Sequence, residues 1–273
     1  MSRILSIAAI EFRIAFRNRW VAIAMLMMVV FALVLAAAGA APTGDIGADR
    51  LSVTVASLTS LSVYLVPLLA LLMSFDAIAG EVERGTLPLL LTYPVSRPEV
   101  LAGKLLAHLA ILALAATAGY AAAAGAAIWA DPASVKGVPA LVRLIWSSVL
   151  LGATFLGAGY ALSALARRPS AAAGLAIGLW LGAVVLYDLA LLALIVSGGE
   201  GSLIASALPY ALLANPADAF RLFNLAAAEA SAAAGGVGGA AASIPLWQSG
   251  LSVLIWPFMA LALAVAAFRK VMP

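Results

Sequence analysis

The chain has 273 residues, of which 65% are hydrophobic and only 10% are charged, with a formal net charge of +3. Soluble globular domains carry about a quarter charged residues, so this composition excludes an ordinary soluble protein and indicates an integral membrane protein. The absence of cysteine excludes disulfides, thiolate metal ligands and cysteine nucleophiles. The charge is too small to indicate a nucleic-acid partner, and we expect none.

The N-terminal segment has an amphipathic pattern. In SRILSIAAIEFRIAFRN, residues 2–18, isoleucines recur at helical spacing, and Arg13 and Arg17 border the polar edge. This pattern predicts a helix that lies on the inner leaflet in contact with membrane lipid. The alternative is a cleaved signal peptide, because AAAGAAP follows an apolar run. We discount it, since an apolar segment of about twenty residues exceeds the usual core of a signal peptide.

Apolar runs of about twenty residues or more, the length that a membrane-spanning helix needs, occur six times along the chain. Strands of a membrane barrel would be about half as long and would alternate in polarity. The predicted spans are Trp20–Ala41, Ser52–Ala79, Val100–Ala130, Val138–Ala166, Ser170–Val196 and Leu246–Phe268. The sequence therefore predicts an all-α integral membrane protein with six transmembrane helices.

The basic residues are distributed unevenly on the two sides of these spans. If both termini lie in the cytoplasm, that side holds eleven of the fifteen lysines and arginines. The other side holds four: Arg50, Lys136, Arg143 and Arg221. Because basic loops are retained in the cytoplasm, this distribution predicts cytoplasmic termini. The long loop between the fifth and sixth spans, residues 197–245, is then on the outer side.

The first cytoplasmic loop, between the second and third spans, carries more charge than a simple turn needs. Thr86 suits a helix N-cap, Pro88 is tolerated in a first turn and Tyr93-Pro94 ends the helix. An apolar helix face flanked by charges is typical of a helix that docks into a partner protein. The alternative is a solvated loop resting on the bilayer, and we favour docking. The predicted contact residues are Glu81, Glu83, Arg84, Gly85, Thr86, Leu87, Leu90 and Leu91.

The long outer loop contains two segments with helical character. SLIASALPYALLA is too short to span the membrane and predicts an interfacial or re-entrant piece. In NPADAFRLFNLAAAEA, Pro216 suits a helix start, Phe220 and Phe223 share one face, and Asp218 and Arg221 form a local charged pair. This combination suits a protein interface, since aromatic residues commonly supply its central binding energy. The alternative is that both rings pack the loop onto the bundle or lie at the membrane interface.

Asp188 is the one acidic residue well inside a predicted span. Such residues are functional candidates, but we favour a structural hydrogen bond to a neighbouring helix, with Tyr187 as one candidate participant. The same span carries Gly174, Gly178 and Gly182 at intervals of four, a ridge that permits close helix approach.

The energy source lies outside this chain, which has no G-x-x-x-x-G-K-[ST] segment and so is not a P-loop ATPase. An intramembrane hydrolase with Ser163 as nucleophile lacks a base, because the only histidine, His108, is read as a polar contact near the inner surface of another span. A gradient-driven transporter with Asp188 as its proton site leaves the charged cytoplasmic loop unexplained. We therefore expect a transport subunit rather than an enzyme.

Three groups of segments resemble known transporter permeases. GEVERGTLPLLLTYPVSRPEVLAGK is similar to the signature of exporter-type ABC-transporter permeases, in which a cytosolic coupling helix follows a G-E-x-E-x-G-T run. EFRIAFRNRW resembles the amphipathic elbow helix with which such permeases begin. FDAIAGE, LLANPADAFRLFNL and AAGLAIGLWLGAVVLYDLALLAL resemble permeases of the nitrous oxide reductase maturation system. The similarity covers essentially the whole chain.

The resemblance implies an elbow helix over residues 1–19 and a permease domain over residues 20–273, with a coupling loop over 80–98. It implies a bacterial inner-membrane homodimer bound to two copies of a cytosolic ABC ATPase. ATP and Mg are bound by that partner, and this chain holds no cofactor or metal. It also implies a periplasmic partner protein resembling NosD, for which Asp218, Phe220, Arg221 and Phe223 form the expected docking site.

The same resemblance implies export of a sulfur-containing species, rather than copper, for assembly of the copper–sulfur centre of nitrous oxide reductase. Two alternatives stay open from the sequence. One is an ABC-type complex that transmits movement to its periplasmic partner without translocating a substrate. The other is the gradient-driven transporter.

Overall fold

The computed structural model describes residues 3–38, 50–166, 168–197, 203–225 and 244–271. Within these ranges the regular structure is helical and contains no strand. The all-α prediction is therefore confirmed for the described part of the chain.

The described ranges contain twelve α-helices, one 3₁₀ helix and one π-helix. In chain order they are α1 (Arg3–Phe16), α2 (Arg19–Ala38), α3 (Arg50–Ser74), α4 (Ala79–Glu83), α5 (Thr86–Thr92), α6 (Arg97–Ala130), a 3₁₀ helix (Pro132–Gly137), α7 (Val138–Ala166), α8 (Pro169–Trp180), a π-helix (Leu181–Leu186), α9 (Tyr187–Ser197), α10 (Leu203–Ala214), α11 (Pro216–Leu225) and α12 (Leu246–Arg269).

Five helical segments of the described ranges are long and apolar enough to cross a membrane. They are Arg50–Glu83, Arg97–Ala130, Pro132–Ala166, Pro169–Leu194 and Leu246–Arg269. A sixth is obtained when α1 and α2, which meet at a bend of 75°, are counted as one span. The second to sixth predicted spans thus coincide with these helices, and the first coincides with α2. The predicted bounds of the fourth span are those of α7.

Helix α7 lies at the centre of the bundle, where it packs against α3, α6, α8, α11 and α12. Helix α12 contacts α7 along much of its length and approaches it closely at Gly157. A Cβ atom at this position would lie only 2.9 Å from the backbone of Ala260, so the glycine permits the close approach of the two helices.

Buried polar side chains connect the helices inside this bundle. The Tyr120 hydroxyl lies 2.5 Å from Ser62 Oγ and 3.1 Å from Ser148 Oγ, which joins α6 to α3 and α7. His108 Nδ1 lies 2.7 Å from the Tyr160 hydroxyl, and both side chains are buried. The polar contact expected of His108 is thus one with Tyr160 in the interior of the bundle. Interhelical hydrogen bonds of this kind replace water in an apolar environment.

The fifth span is less buried than the others and changes helical type along its length. The π-helix separates α8 from α9, just before Asp188. At Gly174, Gly178 and Gly182, a Cβ atom would meet no atom within 4 Å. The predicted glycine ridge therefore takes no part in close packing among the described residues of this chain.

Candidate functional site

The charged loop between the second and third predicted spans contains two short helices, α4 and α5, joined at Gly85. Gly85 has a φ of 67°, in the left-handed region that favours glycine, and it is the N-cap of α5. The prediction that Thr86 is the N-cap is therefore wrong by one residue. Thr86 is the first residue of α5, and its hydroxyl donates to the Glu81 carbonyl at 3.3 Å.

The apolar face of α5 is directed toward the bundle. Leu87 is only 1% exposed, and Leu90 and Leu91 pack against the core. The large apolar side chains of this segment that face outward are Leu89, 65% exposed, and Tyr93, 67% exposed. The predicted leucine face therefore attaches α5 to the bundle, and a different pair of side chains is accessible to a partner protein.

Two charged residues of the loop are also accessible. Glu83 and Arg84 are exposed. Arg84 Nη1 lies 3.3 Å from Asp76 Oδ2 in an ion pair that is itself half-exposed. Exposed pairs of this kind contribute only about 0–1 kcal/mol, so Arg84 remains available for a stronger partner.

Glu81, in contrast, belongs to a buried ionic cluster centred on Lys104. Lys104 Nζ lies 2.5 Å from Glu11 Oε1 and 2.7 Å from Glu81 Oε1. The lysine side chain is 3% exposed, and the two carboxylates are 17% and 15% exposed. A buried ammonium group is stable only with such partners. The cluster joins α1, α4 and α6.

Sequence reasoning missed this cluster because it treated Lys104 only as cytoplasmic charge. A usable signal was present, since an ionisable residue within an apolar helix requires a partner. The sequence does not show which of the nearby acidic residues supply it.

Ser163 on α7 supports the start of α4. Its hydroxyl oxygen accepts hydrogen bonds from the backbone N–H groups of Ile78, at 3.0 Å, and Ala79, at 2.9 Å. The first N–H groups of a helix lack partners within the helix, so a side chain of another helix serves as the cap. This arrangement assigns Ser163 a structural contact and does not favour the hydrolase alternative.

The end of the loop is fixed by two further contacts. Ser96 and Glu99 form a reciprocal capping box at the start of α6. Arg97 Nη1 donates to the carbonyl oxygens of Phe268, at 2.8 Å, and Arg269, at 2.7 Å. These carbonyl groups end α12, where a cation is favoured. The loop is therefore attached to α1, α6, α7 and α12.

A cavity of about 650 Å³ lies beside the Lys104 cluster. It is lined by apolar residues of α1, α2 and α3 and by Glu11, Glu81 and Lys104 at its polar end. Glu11 belongs to α1 and Glu81 to α4, and Lys104 of α6 contacts both. The buried cluster is therefore a direct polar connection between α1 and the loop.

Beside the π-helix, Asp188, Asp218 and Arg221 form a second ionic cluster. Arg221 Nη2 lies 2.8 Å from Asp188 Oδ2, and Arg221 Nη1 lies 3.0 Å from Asp218 Oδ1. The arginine therefore joins α11 to the fifth span. The local pair of Asp218 and Arg221 predicted from the sequence is confirmed, as is the helix that begins at Pro216. The bond that Asp188 makes to a neighbouring segment is an ionic one with Arg221.

Asp218 lies in an environment that disfavours its charge. Burial raises the pKa of its carboxyl group, the nearby Asp188 raises it further and Arg221 partly opposes both effects. The resulting pKa is about 7. Protonation of Asp218 therefore changes within the neutral pH range.

Phe220 and Phe223 are buried, at 0% and 8% exposure. The Phe223 ring packs edge-on against Trp146, with 5.3 Å between the ring centroids. The Arg143 guanidinium carbon lies 6.0 Å from the centroid of the Phe223 ring. The expected partner docking through these rings is not supported, because neither ring reaches a surface. They pack α11 onto the bundle, which is the alternative that the sequence left open.

Hydrogen bonds hold α10 and α11 against the same bundle. Asn215 Nδ2 donates to the carbonyl of Ala183 in the π-helix at 2.6 Å, while Asn215 Oδ1 accepts from the N–H of Ala217. The Tyr187 hydroxyl donates to the carbonyl of Ala211 at 2.7 Å. Tyr187 thus binds α10 rather than Asp188. Residues 198–202 and 226–243, which belong to the long loop predicted between the fifth and sixth spans, lie outside the described ranges.

Comparison with known proteins identifies the family. Residues 5–271 match the profile of the family described as "ABC-2 family transporter protein". The chain belongs to the ABC-2 transporter family. Membership of this family implies a dimer and a partner ATPase.

Two relatives narrow the comparison within the ABC-2 family. The chain is 45% identical over 269 residues to the "Probable ABC transporter permease protein NosY" of Pseudomonas aeruginosa, covering 97% of each chain. It is 43% identical over 281 residues to the protein of the same name from Stutzerimonas stutzeri, covering 99% of each. This ABC-2 protein is therefore the permease subunit of an ABC transporter, as the resemblance predicted.

Proposed function

We propose that this permease couples ATP hydrolysis by a separate ATPase to export of a sulfur-containing species for the copper–sulfur centre of nitrous oxide reductase. The maturation context rests on the near full-length similarity to two NosY permeases. The observation that carries the coupling part of the proposal is the buried contact of Lys104 with Glu11 and Glu81.

The ATPase contacts the exposed side of the α4–α5 loop. Leu89 and Tyr93 supply the apolar part of this surface, because both side chains are more than half exposed. Glu83 and Arg84 supply charges that set the register of the partner. Leu87, Leu90 and Leu91 attach the loop to the bundle, and Gly85 and Thr86 shape it.

Movement of the loop reaches the bundle through polar contacts. Displacement of α4 acts on Lys104 of α6 and, through it, on Glu11 of α1. It also acts on α7 through Ser163. Buried charges resist separation from their partners, so the ionic cluster moves as a unit.

The organisation of the chain in the membrane follows from this role. Helix α1, within the elbow segment predicted for residues 1–19, lies on the cytoplasmic surface, which fits the bend of 75° between α1 and α2. Residues 20–273 form the six-span permease domain, with the coupling loop at 80–98 and the periplasmic loop at 197–245. Both termini lie in the cytoplasm, as the distribution of basic residues indicates.

The assembly contains two copies of this chain and two copies of the ATPase, which bind ATP and Mg. The second copy packs against the fifth span, whose glycine ridge is free of close contacts among the described residues. A periplasmic protein resembling NosD completes the complex. Asp218, Phe220, Arg221 and Phe223 shape the outer end of the bundle from within and do not supply exposed anchors.

The coupling surface is tested by the double substitution Leu89→Ala with Tyr93→Ala. Central apolar anchors of an interface contribute about 2 kcal/mol or more each, so the variant should lose the ATPase during purification. Its cells should also make nitrous oxide reductase with a defective copper–sulfur centre. Trp129→Ala is the matched control, because Trp129 is 91% exposed at the opposite end of α6.

The melting temperature of the double variant should equal that of the parent permease, which would show that the bundle itself is intact. Full retention of the ATPase and normal reductase activity in the double variant would refute the proposed coupling surface.

A further inference from the structure

The outer ionic cluster carries one more acidic group than it has cations. Among the residues that the structure describes, Arg221 is the one cation in an ion pair with Asp188 and Asp218. The Arg221 Nη1 atom lies 3.0 Å from Asp218 Oδ1 and 3.3 Å from Asp188 Oδ1, so the two carboxyl groups are neighbours. With both ionised, the cluster has a net charge of −1 in a largely apolar environment.

Asp218 is the member that tolerates this excess charge least. Its side chain is 2% exposed, against 28% for Asp188. Its Oδ2 atom is buried and has no hydrogen-bond partner among the described residues. An ionised carboxylate in this position leaves a buried acceptor unsatisfied. A protonated carboxyl group is uncharged and has a hydrogen to donate to a neighbouring acceptor.

The other ionisable groups around α11 do not neutralise the excess. Helix α3 contributes Tyr64, which acts on Arg221, and α9 contributes Tyr187, whose hydroxyl binds a carbonyl. Arg143 of α7 lies over the Phe223 ring. Tyr210 of α10 is 74% exposed. Helix α12 has no ionisable residue before Arg269 at its far end.

We infer that Asp218 and Asp188 form a proton-binding site, in which one proton held by Asp218 and shared with Asp188 fastens α11 to the fifth span. Its ligand is a proton, and the site is distinct from the cytoplasmic coupling region. This inference rests on the proposed function in one respect, the orientation of the chain in the membrane. With both termini in the cytoplasm, the site takes its proton from the periplasmic side.

The consequence is a pH-dependent attachment of the outer helices. Because burial raises the pKa of Asp218 to about 7, the site loses its proton within the neutral range. Two ionised carboxylates then face one guanidinium, and their repulsion weakens the contact between α11 and α9. Acidification of the outer side therefore favours docked outer helices, and alkalinisation favours their release.

The proton itself is tested by infrared spectroscopy of the purified permease–ATPase complex in lipid nanodiscs, titrated from about two pH units below to about two above neutrality. The spectrum should contain a protonated carboxyl band that disappears with a midpoint near 7. Asp218→Asn should remove the band. Absence of any titrating carboxyl band in the parent complex, or its persistence in Asp218→Asn, would overturn the assignment.

The docking is tested with single cysteines in this cysteine-free chain. Leu222 is 1% exposed at the contact of α11 with α9 and α10, and Val196 on α9 is 79% exposed. The labelling rate of Leu222→Cys by a charged thiol reagent is divided by that of Val196→Cys at each pH, which cancels the titration of the thiol. This ratio should rise roughly tenfold from acidic to alkaline pH, the factor expected for loss of one charge-assisted hydrogen bond.

Two variants give the matched controls for this ratio. The side chain in Asp218→Asn has the shape of aspartate but does not ionise. The labelling ratio of this variant should therefore stay low at every pH. Asp188→Asn removes the like charge beside Asp218, so the midpoint should move to lower pH. A ratio that is independent of pH in the parent chain, or that keeps its pH dependence in Asp218→Asn, would show that the site does not control docking.

Discussion

Lys104 and Arg221 each contact two carboxylates, and each joins segments that are distant in the sequence. Lys104 joins α1 and α4 to α6, and Arg221 joins α11 to the fifth span. Because unpaired charge is costly in an apolar environment, these contacts determine where the short helices lie on the bundle.

Lys104→Met should destabilise the permease strongly, because it leaves the Glu11 and Glu81 carboxylates without their cation. Breaking a buried ion pair in this way costs about 3–5 kcal/mol in the free energy of unfolding. Adding Glu11→Gln and Glu81→Gln should restore much of this loss. Lys136→Met is the control, since Lys136 is exposed. Chemical unfolding in detergent measures the free energy of unfolding of Lys104→Met, of the triple variant and of Lys136→Met. Equal effects of the two lysine substitutions would contradict the buried cluster.

Asp218 should make the stability of the protein depend on pH. Its pKa in the folded state, about 7, lies above the ordinary value of 3.8, so the folded state binds this proton more tightly than the unfolded state. The stabilisation that protonated Asp218 contributes is complete below its ordinary pKa of 3.8. It is lost as pH rises through the folded-state pKa of about 7. The melting temperature of the parent should therefore fall relative to that of Asp218→Asn between acidic and neutral pH. A constant difference between the two would argue against the raised pKa.

At the scale of elements, the length of the apolar runs predicts the helices that span the bundle. It does not predict how the short helices are oriented on that bundle. The sequence shows that α5 has an apolar face, but either the bundle or a partner protein can cover such a face. The structure assigns Leu87 to the bundle and leaves Leu89 and Tyr93 exposed.

The same ambiguity applies to α11, whose aromatic face could be covered by the bundle or by a partner protein. Helical periodicity places Phe220 and Phe223 on one face and pairs Asp218 with Arg221, and the structure shows both features. Periodicity within a short window cannot reveal that Arg221 meets Asp188, 33 positions away, or that Lys104 meets Glu11, 93 positions away. Pairs so distant in sequence are set by tertiary packing, and the sequence predicts only that buried charges need partners.

Gly85→Ala should distort the junction of α4 and α5. No atom lies within 4 Å of a Cβ built at Gly85, so the cost comes only from the positive φ and amounts to about 1–2 kcal/mol. We expect weaker binding of the ATPase, measured by co-purification. Gly125→Ala is a matched control, since its Cβ would also meet nothing within 4 Å and its helix is regular. The proposed role of the loop geometry fails if the two variants retain the ATPase equally well.

At the scale of the whole molecule, the distribution of basic residues predicts the orientation in the membrane. Single cysteines at Leu89 and Val196, both well exposed, should be labelled from opposite sides by a reagent that does not cross the membrane. In intact cells, Val196→Cys should react and Leu89→Cys should react only after the cells are opened. Labelling of both from the same side would contradict the six-span orientation.

The central claim is that the ATPase contacts the exposed side of the α4–α5 loop. Cross-linking measures this contact directly, because the chain contains no cysteine of its own. Tyr93→Cys and Leu89→Cys, treated with a short reagent that links a thiol to a lysine, should each give a covalent adduct with the ATPase in the assembled complex. Trp129→Cys, exposed at the other end of α6, should give none. Failure of both loop cysteines to form this adduct in an active complex would contradict the account.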